Sequence, residues 1–224
     1  MRAGLDTVIR LSSERAEITV EQTDEAGVTA RKTLSAETFA KCVLGSRFDE
    51  TVHHTGLLPE NCIAATVSDD RAVYYIRHPR LRADVSYYGT EYPDFPIPRM
   101  VFAFGLDTDS GKVIERKLCV VKDVRLTPET PTYHYPFSNV YGNDSICIGN
   151  NELPVYKDPT RLGSLADYIL RMPNNNDMFS ETHNRMGLGY RDLLEHLKDK
   201  PPAYYYTDVL VPNGKTLNHF MSGR

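Results

Sequence analysis

The sequence lacks the features that would place the protein in a membrane or outside the cell. It has no apolar run of about 18 residues, which is the length that a membrane-crossing helix needs. Residues 1–6 contain no apolar core of a secretory signal. Internal repeats and low-complexity tracts are also missing. We therefore expect a globular protein of the cytoplasm.

Paired cysteines, basic clusters and phosphate-binding motifs are missing as well. The four cysteines, Cys42, Cys62, Cys119 and Cys147, form no Cys-x-x-Cys pair, which argues against a disulfide scaffold or zinc ribbon and predicts reduced thiols. The chain has 30 acidic and 26 basic residues, so its net charge is −4. This balance argues against nucleic acid as the main partner. No P-loop pattern is present.

Strand-like patterns fill the first half of the 224-residue chain. They cover residues 7–33, after which Ser35 can cap a short helix that Gly45 ends. Further strand-like runs lie at 63–67, 72–76, 83–88, 100–104 and 113–121. Long strands joined by short loops predict an antiparallel meander.

Helical patterns dominate the last third of the chain. Asp158 followed by Pro159 is typical of a helix start, and a second helix is predicted around 190–197. Residues 204–206 indicate a terminal strand or, alternatively, a docking surface. Strands followed by helices predict an α+β fold. We divide the chain into an N-terminal β-rich element with a short helix, 1–55, and a main domain, 56–224.

An irregular segment, residues 133–154, separates the predicted strands from the predicted helices. Long irregular segments in compact domains are often functional. Cys147 lies in this one, eight residues after Asn139. A thiolate attacks acyl groups, and an Asn amide can stabilise a developing oxyanion. The alternatives are a buried apolar filler for Cys147 and a turn residue for Asn139.

The Asn139-to-Cys147 element resembles the active-site segment of ubiquitin-conjugating (E2) enzymes. Those enzymes carry His-Pro-Asn and then Gly-x-Ile-Cys-Leu at the same Asn-to-Cys spacing. Residues 92–98 resemble a loosened form of the E2 Tyr-Pro-x-x-Pro-Pro element. Phe137 and Ser138 stand where the eukaryotic motif has His-Pro.

The resemblance is closer to the prokaryotic E2-like family that includes protein B of the PRTRC cassette. The shared elements are Leu-Pro-Glu-Asn at 58–61, Tyr-x-x-Pro-Phe-x-Asn-Val-Tyr at 133–141 and a Cys-x-Gly-Asn turn at 147–150. Residues 179–184 also resemble the segment that follows the cysteine in that family. The resemblance therefore covers the chain from residue 56 to residue 200.

This resemblance implies an E2-type (UBC) fold and the transfer of a ubiquitin-like protein. An E1-like adenylating enzyme would pass the modifier to Cys147 as a thioester, and an amine would then attack that thioester. A JAB-type isopeptidase would belong to the same pathway. Neither a metal nor an organic cofactor is implied. Asp144 could orient an incoming lysine or simply form a turn, and His134 and His183 are supporting candidates or structural histidines.

Two other functional classes stay open at this point. The missing His-Pro is compatible with a catalytically inactive E2-like binding module. A cysteine hydrolase could use Cys147, Asn139 and either His134 or His183. That second class requires an imidazole within hydrogen-bonding reach of the thiol.

Cys147 is the one cysteine in the turn-rich segment, whereas we assign Cys42, Cys62 and Cys119 to the core. Replacing Cys147 with Ser should abolish a thiol-sensitive adduct with the modifier, because the acyl acceptor is lost. Replacing any of the other three should affect folding at most. Non-reducing gels after charging measure both effects, and normal charging of Cys147→Ala would contradict the assignment.

Overall fold

The computed structural model describes residues 6–11, 17–24, 27–45 and 55–222. The chain divides into two compact units, Met1–Val52 and His53–Arg224. The assignment of 56–224 as an E2-like domain stays a prediction. Within the described ranges, no helix has the length and apolar character needed to cross a bilayer.

The first unit contains a small antiparallel sheet and one helix. Its strands, in spatial order, are β1 (Asp6–Leu11), β2 (Glu17–Thr23) and β3 (Thr29–Ser35), and α1 (Ala36–Gly45) follows. The Ser35 hydroxyl accepts a hydrogen bond from the Thr38 backbone N–H at 3.1 Å, which confirms the predicted helix cap. Cys42 is exposed on α1, so its assignment to the core is wrong. A unit of this size buries too little surface to cover every apolar side chain.

A six-stranded antiparallel sheet forms the centre of the second unit. Its strands run in the order β11-β10-β9-β8-β5-β4. Their bounds are β4 Cys62–Val67, β5 Arg71–Arg77, β8 Met100–Asp107, β9 Val113–Val121, β10 Pro131–Tyr133 and β11 Pro212–Thr216. The five strands predicted between residues 63 and 121 are present, whereas β10 and β11 were not predicted. The meander is interrupted, however, because β5 pairs with β8 while β6 (Arg82–Tyr87) and β7 (Thr90–Pro96) form a separate hairpin.

Short helices and helical turns follow the sheet along the chain. They comprise a 3-10 turn at Pro159–Leu162, α2 at Gly163–Leu170, a 3-10 turn at Glu181–His183, α3 at Tyr190–Leu197, a π-helical turn at Tyr205–Val209 and α4 at Leu217–Ser222. The predicted cap is confirmed, since the Asp158 carboxylate accepts a hydrogen bond from the Thr160 N–H at 3.0 Å. The fold is α+β, as the sequence predicts.

The terminal strand predicted at 204–206 is wrong, because this stretch runs into the π-helical turn. Tyr205 is fully buried there, and its hydroxyl donates to the Pro96 carbonyl at 2.7 Å. Burying this aromatic side chain, with its hydroxyl satisfied, outweighs the strand preference of three consecutive tyrosines.

Alternate side chains of β8 and β9 pack into two different hydrophobic cores. Phe102, Phe104 and Leu118 join the larger core, which includes side chains of α2 and α3. Val101 and Cys119 lie in a second core together with Leu217 and Phe220 of α4. Cys119 is thus a core residue, as predicted, while Cys62 is partly buried and its thiol donates to the Ala64 carbonyl.

The turn between β8 and β9 depends on a glycine. Gly111 has φ +71°, and a Cβ at this position would lie 2.7 Å from the Tyr156 carbonyl oxygen. Gly111→Ala should lower the free energy of unfolding by about 3 kcal/mol, since left-handed strain and overpacking both contribute. Gly89 has φ +78° and open space around it, so Gly89→Ala should cost about 1–2 kcal/mol. Denaturant titration measures both, and equal losses would contradict the steric account.

Candidate active site

A tight hairpin brings Asn139 and Cys147 face to face. The Cys147 N–H donates to the Asn139 carbonyl at 2.8 Å, and the Tyr141 N–H donates to the Ser145 carbonyl at 2.9 Å. Both pairs belong to one antiparallel register. The eight-residue spacing between Asn139 and Cys147 is therefore the spacing of opposite residues in a closed hairpin.

The hairpin is closed by a turn and fixed to the edge of the sheet. The Asp144 N–H donates to the Tyr141 carbonyl at 2.9 Å, with Asp144 in the left-handed region at φ +68°. The Asp144 carbonyl accepts from the Leu118 N–H, and the Ile146 N–H donates to the Arg116 carbonyl, both at 3.0 Å. These bonds attach the hairpin to β9, so its position is set by the sheet.

Alternation along the hairpin decides which side chains reach solvent. Val140 and Ile146 pair with each other and are buried in the larger core. Tyr141 is 47% exposed, and Cys147 is partly exposed. Cys147 is thus placed on the outer face of the hairpin and not as a filler of the core.

The Tyr141 side chain shares the outer face of the hairpin with the thiol. Cys147 raises the pKa of Tyr141, through hydrogen bonding first and the charge of the thiolate second. Tyr141 was not among the candidates from the sequence. Its position opposite Ser145, diagonal to Cys147, would have identified it had the hairpin register been known.

Asn139 holds the hairpin to the segment after α2. It has φ +64°, its N–H donates to the Asp177 carbonyl at 3.1 Å, and its side-chain amide donates to the Pro173 carbonyl at 3.2 Å. Its own carbonyl accepts from Cys147. Of the two predicted roles, this geometry favours organisation of the loop.

Asp144 and the two histidines are engaged elsewhere. The Asp144 carboxylate accepts from the Lys215 ammonium at 2.9 Å. His134 and His183 stack on each other with ring centroids 4.3 Å apart, and burial lowers the pKa of both imidazoles. Among the described residues, no histidine forms a hydrogen bond with the Cys147 thiol, and no group of three or more His, Cys, Asp or Glu side chains could hold a metal ion.

Two opposite charges flank the Tyr141 hydroxyl. Beside the dominant hydrogen bond to Cys147, the Arg116 guanidinium lowers the pKa of Tyr141 and the Asp177 carboxylate raises it. Tyr141 and Arg116 border a groove of about 400 Å³. The Arg116 Nε is buried and has no hydrogen-bond partner in the described part of the chain. Neither Arg116 nor Asp177 was predicted as a site residue.

The contacts of Asn139 generate a stability prediction. Asn139→Gly removes the hydrogen bond to the Pro173 carbonyl but suits the left-handed backbone, so it should cost about 1 kcal/mol. Asn139→Ala should cost about 2–3 kcal/mol, because it adds backbone strain to the same loss. Denaturant titration compares the two variants. A more stable Ala variant would contradict this role.

The comparisons with known proteins gave one match, to a family model. The family model described as prokaryotic E2 family D matches residues 38–213. The matched range includes the whole hairpin, α2 and α3. Searches of curated proteins and of solved structures returned no match.

Proposed function

The chain belongs to prokaryotic E2 family D, and we propose that it carries a ubiquitin-like protein as a thioester on Cys147 and transfers it to an amine. The observation that carries this proposal is the hairpin register, which presents the thiol on an outer face beside a hydroxyl donor. The closer relationship to PRTRC protein B stays a prediction.

The first half of the reaction is acyl exchange onto sulfur. An E1-like adenylating enzyme activates the C-terminal carboxylate of the modifier and holds it as a thioester on a cysteine of its own. The Cys147 thiolate attacks the carbonyl carbon of that thioester, and the thiolate of the adenylating enzyme leaves as the first C–S bond breaks. A thiolate leaves without help from an acid, so this step needs no imidazole at the site. Partial exposure of Cys147 on the hairpin face supports access by so large an acyl donor.

The second half is attack by an amine on the thioester carbonyl. It requires an unprotonated amine, correct placement and a donor for the developing oxyanion. Asp177 is the carboxylate that we assign to amine placement, since its carbonyl accepts from the Asn139 N–H and its charge acts on Tyr141. Asp144, the candidate from the sequence, is paired with Lys215.

The arrangement supports transfer over the two alternative functions. A cysteine hydrolase needs an imidazole that accepts the thiol proton, whereas His134 and His183 stack on each other. An inactive binding module has no need of a thiol that is outward-facing and hydrogen-bonded. The adenylating enzyme, the modifier and a JAB-type isopeptidase are the partners that belong to this proposal.

Incubation with the adenylating enzyme, the modifier and ATP tests the proposed function. We expect an ATP-dependent conjugate on a non-reducing gel that disappears on addition of thiol reductant. A binding module would give no conjugate although the adenylating enzyme is active. A hydrolase would instead cleave modifier conjugates and lose that activity on His183→Gln.

Asp177→Asn should slow discharge of the thioester to lysine about fivefold, because the carboxylate attracts the lysine ammonium group to the site by about 1 kcal/mol before that group loses its proton and attacks. Discharge to hydroxylamine, which is uncharged at neutral pH, should keep the wild-type rate. Asp123→Asn removes another exposed carboxylate and serves as the control. Single-turnover discharge measures these rates, and equal slowing with both nucleophiles would remove Asp177 from amine placement.

A further inference from the structure

The outer face of the hairpin carries an aromatic hydroxyl group beside the thiol. Tyr141 stands opposite Ser145 in the register, so its side chain shares a face with Cys147 at the diagonal position. Diagonal neighbours in an antiparallel pair lie within reach of an aromatic side chain. Cys147 also raises the pKa of Tyr141, which agrees with a hydroxyl placed on the same face as the thiol.

The side chain expected to stabilise an oxyanion is committed to another contact. The Asn139 amide donates to the Pro173 carbonyl at 3.2 Å, and this bond links the hairpin to the segment after α2. Turning that amide toward the thioester would break the link. A hydrogen-bond donor has to be preorganised to stabilise an oxyanion effectively. The Tyr141 hydroxyl, which shares a face with the thiol, is therefore better placed than the Asn139 amide.

We propose that Tyr141 is a catalytic residue of the transfer reaction and that its hydroxyl donates a hydrogen bond to the thioester oxygen as this becomes an oxyanion. The inference deepens the proposed function and rests on it. In the thioester, the carbonyl carbon is bonded directly to the Cys147 sulfur. Its oxygen therefore lies two bonds from the sulfur, on the face of the hairpin that the Tyr141 side chain shares.

The step balances with Tyr141 acting as a donor and not as an acid. The amine lone pair forms the N–C bond while the carbonyl π electrons move to oxygen, where the Tyr141 O–H stabilises the charge. The intermediate then reforms the C=O bond and breaks the C–S bond, and the electron pair leaves with sulfur. The amine proton passes to solvent, and the thiolate again accepts a hydrogen bond from Tyr141.

The surroundings of Tyr141 keep it in the donating form. The pKa of a tyrosine is ordinarily near 10, and hydrogen bonding to Cys147 raises the pKa of Tyr141 further. The hydroxyl is therefore protonated at neutral pH. The Arg116 guanidinium acts on the same hydroxyl, and a cation there favours negative charge on a nearby oxyanion.

Tyr141→Phe tests the proposal without the unidentified partners. A synthetic peptide that ends in a Gly-Gly thioester of mercaptoethanesulfonate exchanges directly with cysteine thiols and loads Cys147. A Cys42→Ser background is used because Cys42 is also exposed. The loaded protein is freed of peptide and mixed with lysine or with hydroxylamine, and mass spectrometry follows the loss of the adduct.

Tyr141→Phe should discharge about 100-fold more slowly than wild type with both nucleophiles, since every attack on the carbonyl passes through the oxyanion. Its melting temperature should not change, because Tyr141 is half exposed and the ring is kept. Tyr88→Phe, at a 62% exposed tyrosine in the β6–β7 turn, should match wild type.

Equal discharge rates for wild type and Tyr141→Phe would overturn the proposal and move the role to the backbone N–H groups of Ile148 and Gly149. Slowing with lysine alone would also overturn it, because that result describes amine placement. The synthetic adduct bypasses the adenylating enzyme. A failure of enzymatic charging, which would contradict the proposed function, is therefore distinguishable from a failure of this inference.

Discussion

The backbone pairing of residues 139–147 is the constraint on which the rest of the site depends. Side chains alternate between the two faces of a paired strand, so a shift of one residue would bury Cys147 and expose Ile146. The register is held within the hairpin by the Cys147-to-Asn139 bond and outside it by the bonds to Arg116 and Leu118 of β9. The sheet thereby fixes the direction in which the thiol points.

A site built in this way suits chemistry that needs placement and hydrogen-bond donors. Thioester exchange and aminolysis expel a thiolate, which is a good leaving group, so a general acid adds little. The described hairpin agrees with that requirement, because Tyr141 shares the outer face with the thiol while His134 and His183 stack on each other. Asn139 contributes by joining the hairpin to the segment at 173–177, which brings Asp177 to the same side.

Local signals predicted much of the fold. Four strands of the central sheet (β4, β5, β8 and β9), the Asp158 cap and the apolar spacing of α3 follow from residue patterns over a few positions, whereas the short strands β10 and β11 were not predicted. β7 was missed because Pro93 and Pro96 argue against a strand, although prolines are tolerated in a hairpin outside the main sheet. The error at 204–206 has a tertiary cause, since burial of Tyr205 decides the backbone there.

The part of the site that depends on the spacing of residues along the chain could be predicted from the sequence. The interval between Asn139 and Cys147 pointed to a pair, and the structure places these two residues opposite each other. Tyr141, Arg116 and Asp177 could not be predicted, because they come together only through the hairpin register, the strand β9 and the loop after α2. For the same reason, the ion pair between Asp144 and Lys215 of β11 could not be predicted from the sequence.

The most direct test of the account is to identify the atom that carries the modifier. The protein is charged with the adenylating enzyme, the modifier and ATP, quenched in acid, and digested for mass spectrometry. The account predicts that the modifier's C-terminal residues are attached to the peptide containing Cys147 and are released by a thiol. Attachment to Cys42, Cys62, Cys119 or a lysine, with the Cys147 peptide unmodified, would contradict it.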